Sequence, residues 1–334
     1  GPGHQLLQWD AGGIREIVSP GTRLPDGGRM TATGSLATSR SGWAALTMNT
    51  TAGSRVYRVA DGKLSPLLTS DGPVSSPDSN NYSWTHSGWR GRTIGINSNG
   101  DVATHAVFGP FERLVFIPNG ATRARAIFTS GQILPNGLTL ANPSEVAVDD
   151  LGRVAFMADI TSAGQRGLFL WDGQQVLEVT RNGAQLDGRV VDGFQIVAGP
   201  KSFATMIGSR EGWRLYTFSD RNLKLELGGE TALPGLPGGW TNYYGQLSMS
   251  GNANIQLFVG GGGAPGVVAW RPDGSAAMLL RTADRLPEGG LVIQPIGFSA
   301  GPSGELFLML HVLEDAVEKA ALYLATPQDA RSRR

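Results

Sequence analysis

The sequence predicts an all-β fold built from repeats of about fifty residues, and three observations lead to this class. Four glycines, Gly137, Gly188, Gly238 and Gly289, follow one another at steps of 51, 50 and 51 residues. Each step contains four short apolar segments of strand length, separated by turn signals. The chain has 48 glycines and 19 prolines with only 17% charged residues, which is typical of many short strands and turns. Four strands and a loop in about fifty residues is the size of one propeller blade, so we expect a β-propeller.

The glycines belong to a recurring phrase, Leu-Pro-x-Gly, which marks the passage from one unit to the next. Its copies are Leu24-Pro25-Asp26-Gly27, Leu134-Pro135-Asn136-Gly137, Leu186-Asp187-Gly188 (shortened), Leu236-Pro237-Gly238-Gly239 and Leu286-Pro287-Glu288-Gly289. The copy at Leu24 stands 110 residues before the copy at Leu134, or roughly two steps.

One unit shows the strand pattern in order. Residues 145–148 form a first strand, 154–157 a second and 167–171 a third. Asp172-Gly173 then predicts a tight hairpin, because glycine accepts the positive φ that such turns need. Residues 176–179 form the fourth strand, and the shortened phrase closes the unit.

The count of strands predicts a ring of six blades with about four antiparallel strands each. The last unit lacks a fourth strand, whereas the chain begins with one at residues 14–18, so we expect N- and C-terminal strands to share a blade and close the ring. Residues 6–10 read as a third strand that six blades do not need. We assign residues 1–4 to a cleavage scar, 5–328 to one propeller domain and 329–334 to a disordered tail. The units span about 30–83, 84–139, 140–191, 192–240, 241–292, and 293–328 together with 5–29.

The segment Gly167-Leu168-Phe169-Leu170-Trp171-Asp172-Gly173 and the later Leu-Pro-x-Gly phrase resemble a family of bacterial exported tandem-repeat proteins. Units of that family read like G-x-V-A-F, then G-L-Y-x-x-D-G, then G-D-x-x-P-G-G, and stand beside surface-anchoring tails. The resemblance covers nearly the whole chain, although Ser219-Asp220 lacks the hairpin glycine and residues 75–78 have lost the closing phrase. It implies an exported β-propeller-like body in the periplasm, at the cell surface or outside the cell. It implies no reaction.

Composition excludes several classes of function. Lysines and arginines number 28 and acidic residues 28, so no basic surface predicts nucleic-acid binding. The absence of cysteine excludes disulfides, thiolate catalysis and cysteine-ligated metals. We find no run of 18 apolar residues, no metal-ligand spacing and no phosphate loop, and therefore expect no membrane insertion, no metal and no cofactor.

One column of the repeat predicts a ligand site. A column is here the set of equivalent positions in the repeated units. Four residues before the middle of each first strand, this column carries different and mostly polar side chains, whereas a position that only maintains the fold tends to keep the same residue type in every unit. The column reads Ala32, Arg90, Asn142, Asp192, Tyr243 and Gln294. Its position corresponds to the mouth of a propeller funnel, where ligands often bind, and the competing interpretation is a wet channel without a ligand.

Aromatic residues near this column favour a carbohydrate. Trp89 and Tyr244 lie in the connecting segments, where flat rings stack on sugar faces, and His86 is the one histidine on such a loop. Trp84 and Trp240 lie there too, but Trp240 occupies a position held by leucine in sister units and reads as a plug between blades.

These patterns favour a non-catalytic, exported binding or scaffold module that recognises a glycan or protein partner at the funnel face, with no catalytic residues assigned. The alternative is a propeller-fold polysaccharide lyase or glycoside hydrolase. In that case Arg90 neutralises a carboxylate, Tyr243 or His86 moves the proton and Asp192 assists. A hydrolase needs two carboxylates, and the column offers only Asp192, which weighs against an enzyme. A third interpretation is a purely structural envelope or appendage repeat. The oligomeric state is left open.

Overall fold

The computed structural model describes residues 6–10, 13–68, 94–108, 111–121, 124–234, 236, 239–261, 265–301 and 305–325. In these residues the chain forms 27 β-strands and no helix. No helix long and apolar enough for a membrane span is therefore found in the described part of the chain. The chain divides into two compact units, Gly1–Arg181 and Asn182–Arg334.

The first unit contains a two-stranded hairpin and three four-stranded sheets, blades 1 to 3, in which neighbours along the chain pair antiparallel. The hairpin consists of β1 (Leu6–Asp10) and β2 (Gly13–Val18). Blade 1 consists of β3 (Met30–Thr38), β4 (Ala44–Thr50), β5 (Gly53–Ala60) and β6 (Lys63–Leu68). Blade 2 consists of β7 (Ile94–Ile96), β8 (Val102–Phe108), β9 (Phe111–Ile117) and β10 (Arg125–Thr129). Blade 3 consists of β11 (Leu140–Val148), β12 (Val154–Ile160), β13 (Gln165–Trp171) and β14 (Val176–Arg181).

The second unit contains a short hairpin and blades 4 to 6. The hairpin consists of β15 (Gln185–Leu186) and β16 (Arg189–Val190). Blade 4 consists of β17 (Gly193–Ala198), β18 (Phe203–Ser209), β19 (Gly212–Phe218) and β20 (Lys224–Leu227). Blade 5 consists of β21 (Trp240–Met249), β22 (Ile255–Gly261), β23 (Gly266–Trp270) and β24 (Ala276–Arg281). Blade 6 consists of β25 (Leu291–Ala300), β26 (Leu306–Glu314) and β27 (Val317–Ala325). These sheets confirm the predicted all-β fold, a six-bladed β-propeller.

The strand that we expected to complete the last blade has a different partner. β2 pairs along its length with β1, from Trp9 opposite Ile14 to Leu6 opposite Val18. Blade 6 has three strands in the described residues, and its last strand, β27, pairs there with β26. The chain reversal between β1 and β2 is short, so the two adjacent strands pair locally. The segment that six blades did not need is therefore the hairpin partner of β2.

The core lies between neighbouring sheets, as expected for blade-on-blade packing. Phe156 of blade 3 stacks on Phe128 of blade 2, with ring centroids 5.5 Å apart, and on Phe169 of its own blade at 5.6 Å. Each fully buried side chain of this size contributes about 1.5–3 kcal/mol to stability. Trp240 is only 2% exposed and packs among residues of blades 4 and 5, which confirms it as an interior plug.

Two glutamines connect neighbouring first strands. Gln195 Nε2 donates to the backbone oxygen of Gly245, 2.9 Å away, and so connects blade 4 to blade 5. Gln246 Nε2 donates in the same way to the backbone oxygen of Ile296 in blade 6. Both glutamines stand at the same place in the repeat, one residue before the middle of the first strand. The two contacts therefore repeat one connection from blade to blade.

Candidate functional site

The described residues of the predicted column lie beside the second strands of their own blades. Ala32 pairs with Asn49, Gln294 pairs with His311, and the Asp192 amide donates to the backbone oxygen of Gly208 at 3.0 Å. In β3, β11, β21 and β25 the pairing shifts register near this point. A bulge turns successive side chains to different faces, so residues aligned in sequence need not share one direction.

In blade 3 the column residue Asn142 lies between two carboxylates. Its backbone amide donates to Glu112 Oε2 at 3.2 Å, and its side-chain Nδ2 donates to Asp159 Oδ2 at 2.8 Å. Asn142 has a positive φ of 50°, in the left-handed region that asparagine tolerates better than most residues. Glu112 stands on β9 of blade 2 and Asp159 on β12 of blade 3, so three strands bring these groups together. We call Glu112, Asn142 and Asp159 the carboxylate cluster.

Two further groups approach Glu112. Ser130 Oγ donates to Glu112 Oε2 at 3.4 Å, and His105 Nε2 lies 3.9 Å from the same oxygen. The His105 side chain is 9% exposed, whereas that of Glu112 is 30% exposed. Glu112 can therefore meet a ligand from solvent, with the histidine behind it.

In the second unit, Tyr243 belongs to an aromatic and polar group. Its ring tilts against Trp213 at a centroid distance of 5.2 Å, and its hydroxyl donates to Gln195 Oε1. Asp192 Oδ1 and the Trp213 ring each lie within 3.2 Å of the point where a side chain on Gly208 would begin. The glycine thus leaves the space that the carboxylate and the indole share.

The remaining predicted site residues lie apart or outside the described residues. Tyr244 is 46% exposed and tilts over Phe258 at a centroid distance of 4.6 Å. Gln294 is exposed on β25. His86, Trp89 and Arg90 lie outside the described residues, as does Trp84. The assignment of one ligand site to the whole column stays a prediction.

The structure also connects three copies of the Leu-Pro-x-Gly phrase to tyrosines on third strands. Tyr57 donates to Asp26 at 2.8 Å and Tyr216 donates to Asp187 at 2.9 Å. Tyr323 has Glu288 of its own phrase as a neighbouring carboxylate. Burial and the neighbouring Asp187 carboxylate raise the pKa of Tyr216 to about 12. Burial and a neighbouring carboxylate also raise the pKa of Tyr57, beside Asp26, and of Tyr323, beside Glu288. These hydroxyls therefore remain protonated donors at neutral pH and are unsuited to act as bases.

Where the x residue of the phrase is not acidic, the third-strand position is not tyrosine. The blade that follows Asn136 has Phe169 there, and the blade that follows Gly238 has Val268. The acid and the tyrosine thus occur together or not at all in these five copies. We call each such pair, with its phrase, an acid–tyrosine clamp.

Sequence reasoning missed Glu112 and Asp159. A second divergent column, three residues after the middle of each second strand, carried the signal for Asp159. It reads Asn49, Val107, Asp159, Gly208, Gly260 and His311. Glu112 had no such signal, because it comes from the neighbouring blade. Within the described residues, no group of three or more His, Cys, Asp or Glu is arranged to hold a metal ion.

Comparison with known proteins gives a fold. No family model matches the chain, and no curated protein matches it. The chain is similar in structure to a prolyl endopeptidase, at 14% identity and a TM-score of 0.55 over 97% of this chain and 45% of that one. It is similar to a puromycin-hydrolysing peptidase of Mycobacterium tuberculosis, at 14% identity and a TM-score of 0.51 over 96% and 48% of the two chains. It is also similar to an oligogalacturonate lyase of Vibrio parahaemolyticus, at 12% identity and a TM-score of 0.50 over 96% and 82%.

The chain spans about half the length of the peptidases that it matches. At these identities the likeness shows the propeller fold. All three similar structures are enzymes, and the expectation of a non-catalytic binding or scaffold module was therefore wrong. It rested on the column alone, which offered one carboxylate, whereas the structure brings Glu112 and Asp159 to the same asparagine.

Proposed function

We propose that the chain is the propeller of an enzyme that cleaves glycosidic bonds, with the carboxylate cluster as its reactive centre. The observation that carries this proposal is that Asn142 donates one hydrogen bond to each of two carboxylates, Glu112 and Asp159. Glycoside hydrolysis requires two carboxyl groups, one that protonates the leaving oxygen and one that acts as base or nucleophile. A left-handed non-glycine residue that holds reactive groups is a feature that recurs at functional sites.

The hydrogen bonds suggest a division of roles. The Asn142 amide and Ser130 both donate to Glu112 Oε2, with His105 behind it, so we assign Glu112 as the base or nucleophile. Asp159 accepts from the Asn142 side chain and is assigned as the general acid. Asn142 then holds both carboxyl groups in position without taking part in proton transfer. Similarity to an oligogalacturonate lyase over 82% of its length supports an oligosaccharide as the substrate class.

The test is hydrolysis of a panel of neutral and acidic oligosaccharides, followed by chromatography of the products. We expect Glu112→Gln and Asp159→Asn each to reduce turnover about 10²-fold or more, as for loss of an acid or base. Glu178→Gln is the matched control, because Glu178 is also a half-buried carboxylate on a strand but pairs with Arg181. Unchanged turnover in both cluster variants would remove the assignment.

The same panel distinguishes hydrolysis from elimination. A lyase leaves a carbon–carbon double bond at the new non-reducing end of a uronate, which absorbs ultraviolet light, whereas a hydrolase adds water and leaves none. Products with this absorbance would keep the substrate class and replace the two-carboxylate mechanism.

The second candidate function is a propeller that accompanies a peptidase. It is favoured by the similarity to the prolyl endopeptidase, the highest of the three TM-scores given above. The matched part is less than half of that chain. A panel of short peptides separates the two candidates, since cleavage of peptides but not of oligosaccharides would favour the second.

We also propose that the chain is exported and belongs to a tandem-repeat protein of the cell envelope. The repeated Leu-Pro-x-Gly phrase and the Gly167–Gly173 motif support this proposal through their resemblance to exported repeat proteins. Fractionation of the producing cells tests it, and recovery of the protein in the cytoplasmic fraction would contradict it.

A further inference from the structure

Two arginines of blade 4 and its preceding hairpin lie at one small pocket. The pocket has a volume of about 10 Å³, room for one water molecule. It is lined by Arg189 and Arg214, by the polar side chains of Ser209 and Tyr216, by two glycines and by apolar side chains. The Arg214 side chain is 14% exposed and that of Arg189 is 24% exposed. Two guanidinium groups that approach one point form an environment that suits a carboxylate.

The hydrogen bonds of Arg214 leave part of its guanidinium unused. Its Nη1 donates to the backbone oxygen of Asp187 at 3.3 Å, and its side chain also interacts with the Tyr216 hydroxyl. Its Nε is buried and has no hydrogen-bond partner among the described residues. A buried donor without a partner is costly and is a reason to look for a ligand.

A single carboxylate approaches both arginines, but from a distance. Glu230 lies 3.7 Å from Arg189 Nη2 and 3.7 Å from Arg214 Nη2, beyond hydrogen-bond range. Its side chain is 62% exposed, and it folds back over Gly228, where a Cβ atom would collide with it. Glu230 is therefore a loosely held carboxylate at a doubly basic position.

We propose that Arg189 and Arg214 bind the carboxylate of a small ligand, and that Glu230 is an internal competitor which moves aside when the ligand binds. A ligand carboxylate takes the position of the Glu230 carboxylate and accepts hydrogen bonds from the two guanidinium groups, while the rest of the ligand stays on the solvent side. This site is formed within the second unit and does not include the carboxylate cluster. It therefore stands independently of the proposed reaction.

The carboxylate has two sources, a uronic acid or the terminus of a peptide, and calorimetric titration separates them. The probes are acetate for the shared group, D-galacturonate and N-acetylglycine for the two sources, and D-galactose as the neutral match of galacturonate. We expect acetate and one or both organic acids to bind the full chain, and galactose to show no binding at this site. Binding of galactose with the same affinity as galacturonate would overturn the proposal.

Three variants test the residues. Glu230→Gln removes the competing charge without changing its size, and we expect the acids to bind about three- to tenfold more tightly, since exposed ion pairs are individually weak. Arg189→Gln is expected to weaken binding about tenfold or more. Arg221→Gln, which removes an exposed arginine in the turn between β19 and β20, away from the pocket lining, is the control and is expected to bind as the unmodified chain does.

Arg214 needs a more conservative change, because it also contacts Tyr216 and Asp187. Arg214→Lys keeps the charge but loses the planar fork, and is expected to weaken binding while circular dichroism stays unchanged. Unaltered affinity in Glu230→Gln, or in both arginine variants, would overturn the proposal. Weaker binding at higher ionic strength in the unmodified chain would support it.

Discussion

Blades 1 and 4 contain the same acid–tyrosine clamp, and they use its arginine differently. In blade 1 the buried Arg55 lies 2.9 Å from Asp26, the residue that also accepts from Tyr57. In blade 4 the equivalent arginine is Arg214, two residues before Tyr216, and on Asp187 it donates to the backbone oxygen rather than to the carboxylate. One clamp is closed by an ion pair, whereas the other leaves its arginine available at a pocket.

The comparison shows how a repeat can keep its scaffold and change its chemistry. The tyrosine and the acid fasten the Leu-Pro-x-Gly phrase to the third strand in both blades. The arginine is not needed for that contact, so a change of its partner leaves the fold in place. In blade 4 a second arginine, Arg189, has been added from the short hairpin that precedes the blade.

The largest expected effect breaks the closed clamp. Asp26→Asn removes the carboxylate from the buried Arg55 and should destabilise the fold by about 3–5 kcal/mol, as for a broken buried ion pair. Asp187→Asn removes no close ion pair and should cost about 1–2 kcal/mol, through a weaker hydrogen bond to Tyr216. Asparagine suits the backbone at position 187, since Asp187 has a φ of 47°, which asparagine tolerates better than most residues.

Urea unfolding followed by circular dichroism measures both variants against the unmodified chain. Equal losses of stability in the two variants would contradict the difference between the clamps. A larger loss in Asp187→Asn would mean that Arg214 depends on that carboxylate after all.

A smaller effect is expected at alkaline pH, where stability depends on the ionisation of the tyrosine in the blade 4 clamp. Above the unfolded tyrosine pKa of about 10, the unfolded chain loses a proton that folded Tyr216 keeps until about 12. The stability that this tyrosine contributes is therefore full below about pH 10 and is lost as pH rises toward 12. Urea unfolding should show a decline over this window, with a slope of at most about 1.4 kcal/mol per pH unit from this group.

Tyr216→Phe should remove that part of the decline and leave stability below pH 10 lower by the lost hydrogen bond. The matched control is Tyr323→Phe, because the pKa of Tyr323 is also raised but its side chain is more exposed. The same slope in Tyr216→Phe as in the unmodified chain would show that the hydroxyl does not stay protonated.

The smallest expected effect installs a clamp where none exists. Blade 3 follows Asn136 and has Phe169 at the clamp position, so Asn136→Asp with Phe169→Tyr recreates the pair. Phe169 is fully buried, so Phe169→Tyr alone should destabilise the chain, whereas Asn136 is exposed and Asn136→Asp alone should have little effect. The double change should recover about 0.5–1.5 kcal/mol of coupling between the two residues. A double-mutant cycle in urea measures it, and zero coupling would show that the two positions do not meet in this blade.

Most of the fold followed from the spacing of glycines and strands, because each blade is specified within its own fifty residues. The turn signals placed the hairpin at Asp172-Gly173 between β13 and β14, where it is found. The partner of β2 did not follow in the same way. The strand pattern fitted the missing position in blade 6, but the nearer strand β1 is its actual partner.

The site followed less well, because its contacts join residues that the repeat keeps apart. Asn142 stood out as a polar residue in a divergent column, but its meaning depends on Glu112 from another blade and on a bulge in β11. The continuous apolar sequence of β26 also does not reveal its covered face, because Leu308 is buried while its apolar neighbours Phe307 and Met309 are exposed. Composition alone does not say which face of a strand is covered.

The glutamine connection between first strands has a consequence for how such a chain grows. Gln195 and Gln246 each fasten their own blade to the following one, and each is encoded inside its own unit. A gene segment that is duplicated at the fifty-residue period therefore also encodes the glutamine that hydrogen-bonds to the next blade. The acceptor is a backbone oxygen, which any inserted copy provides whatever its side chains. New copies are thus joined before selection has acted on their sequence, and their exposed residues are left to diverge.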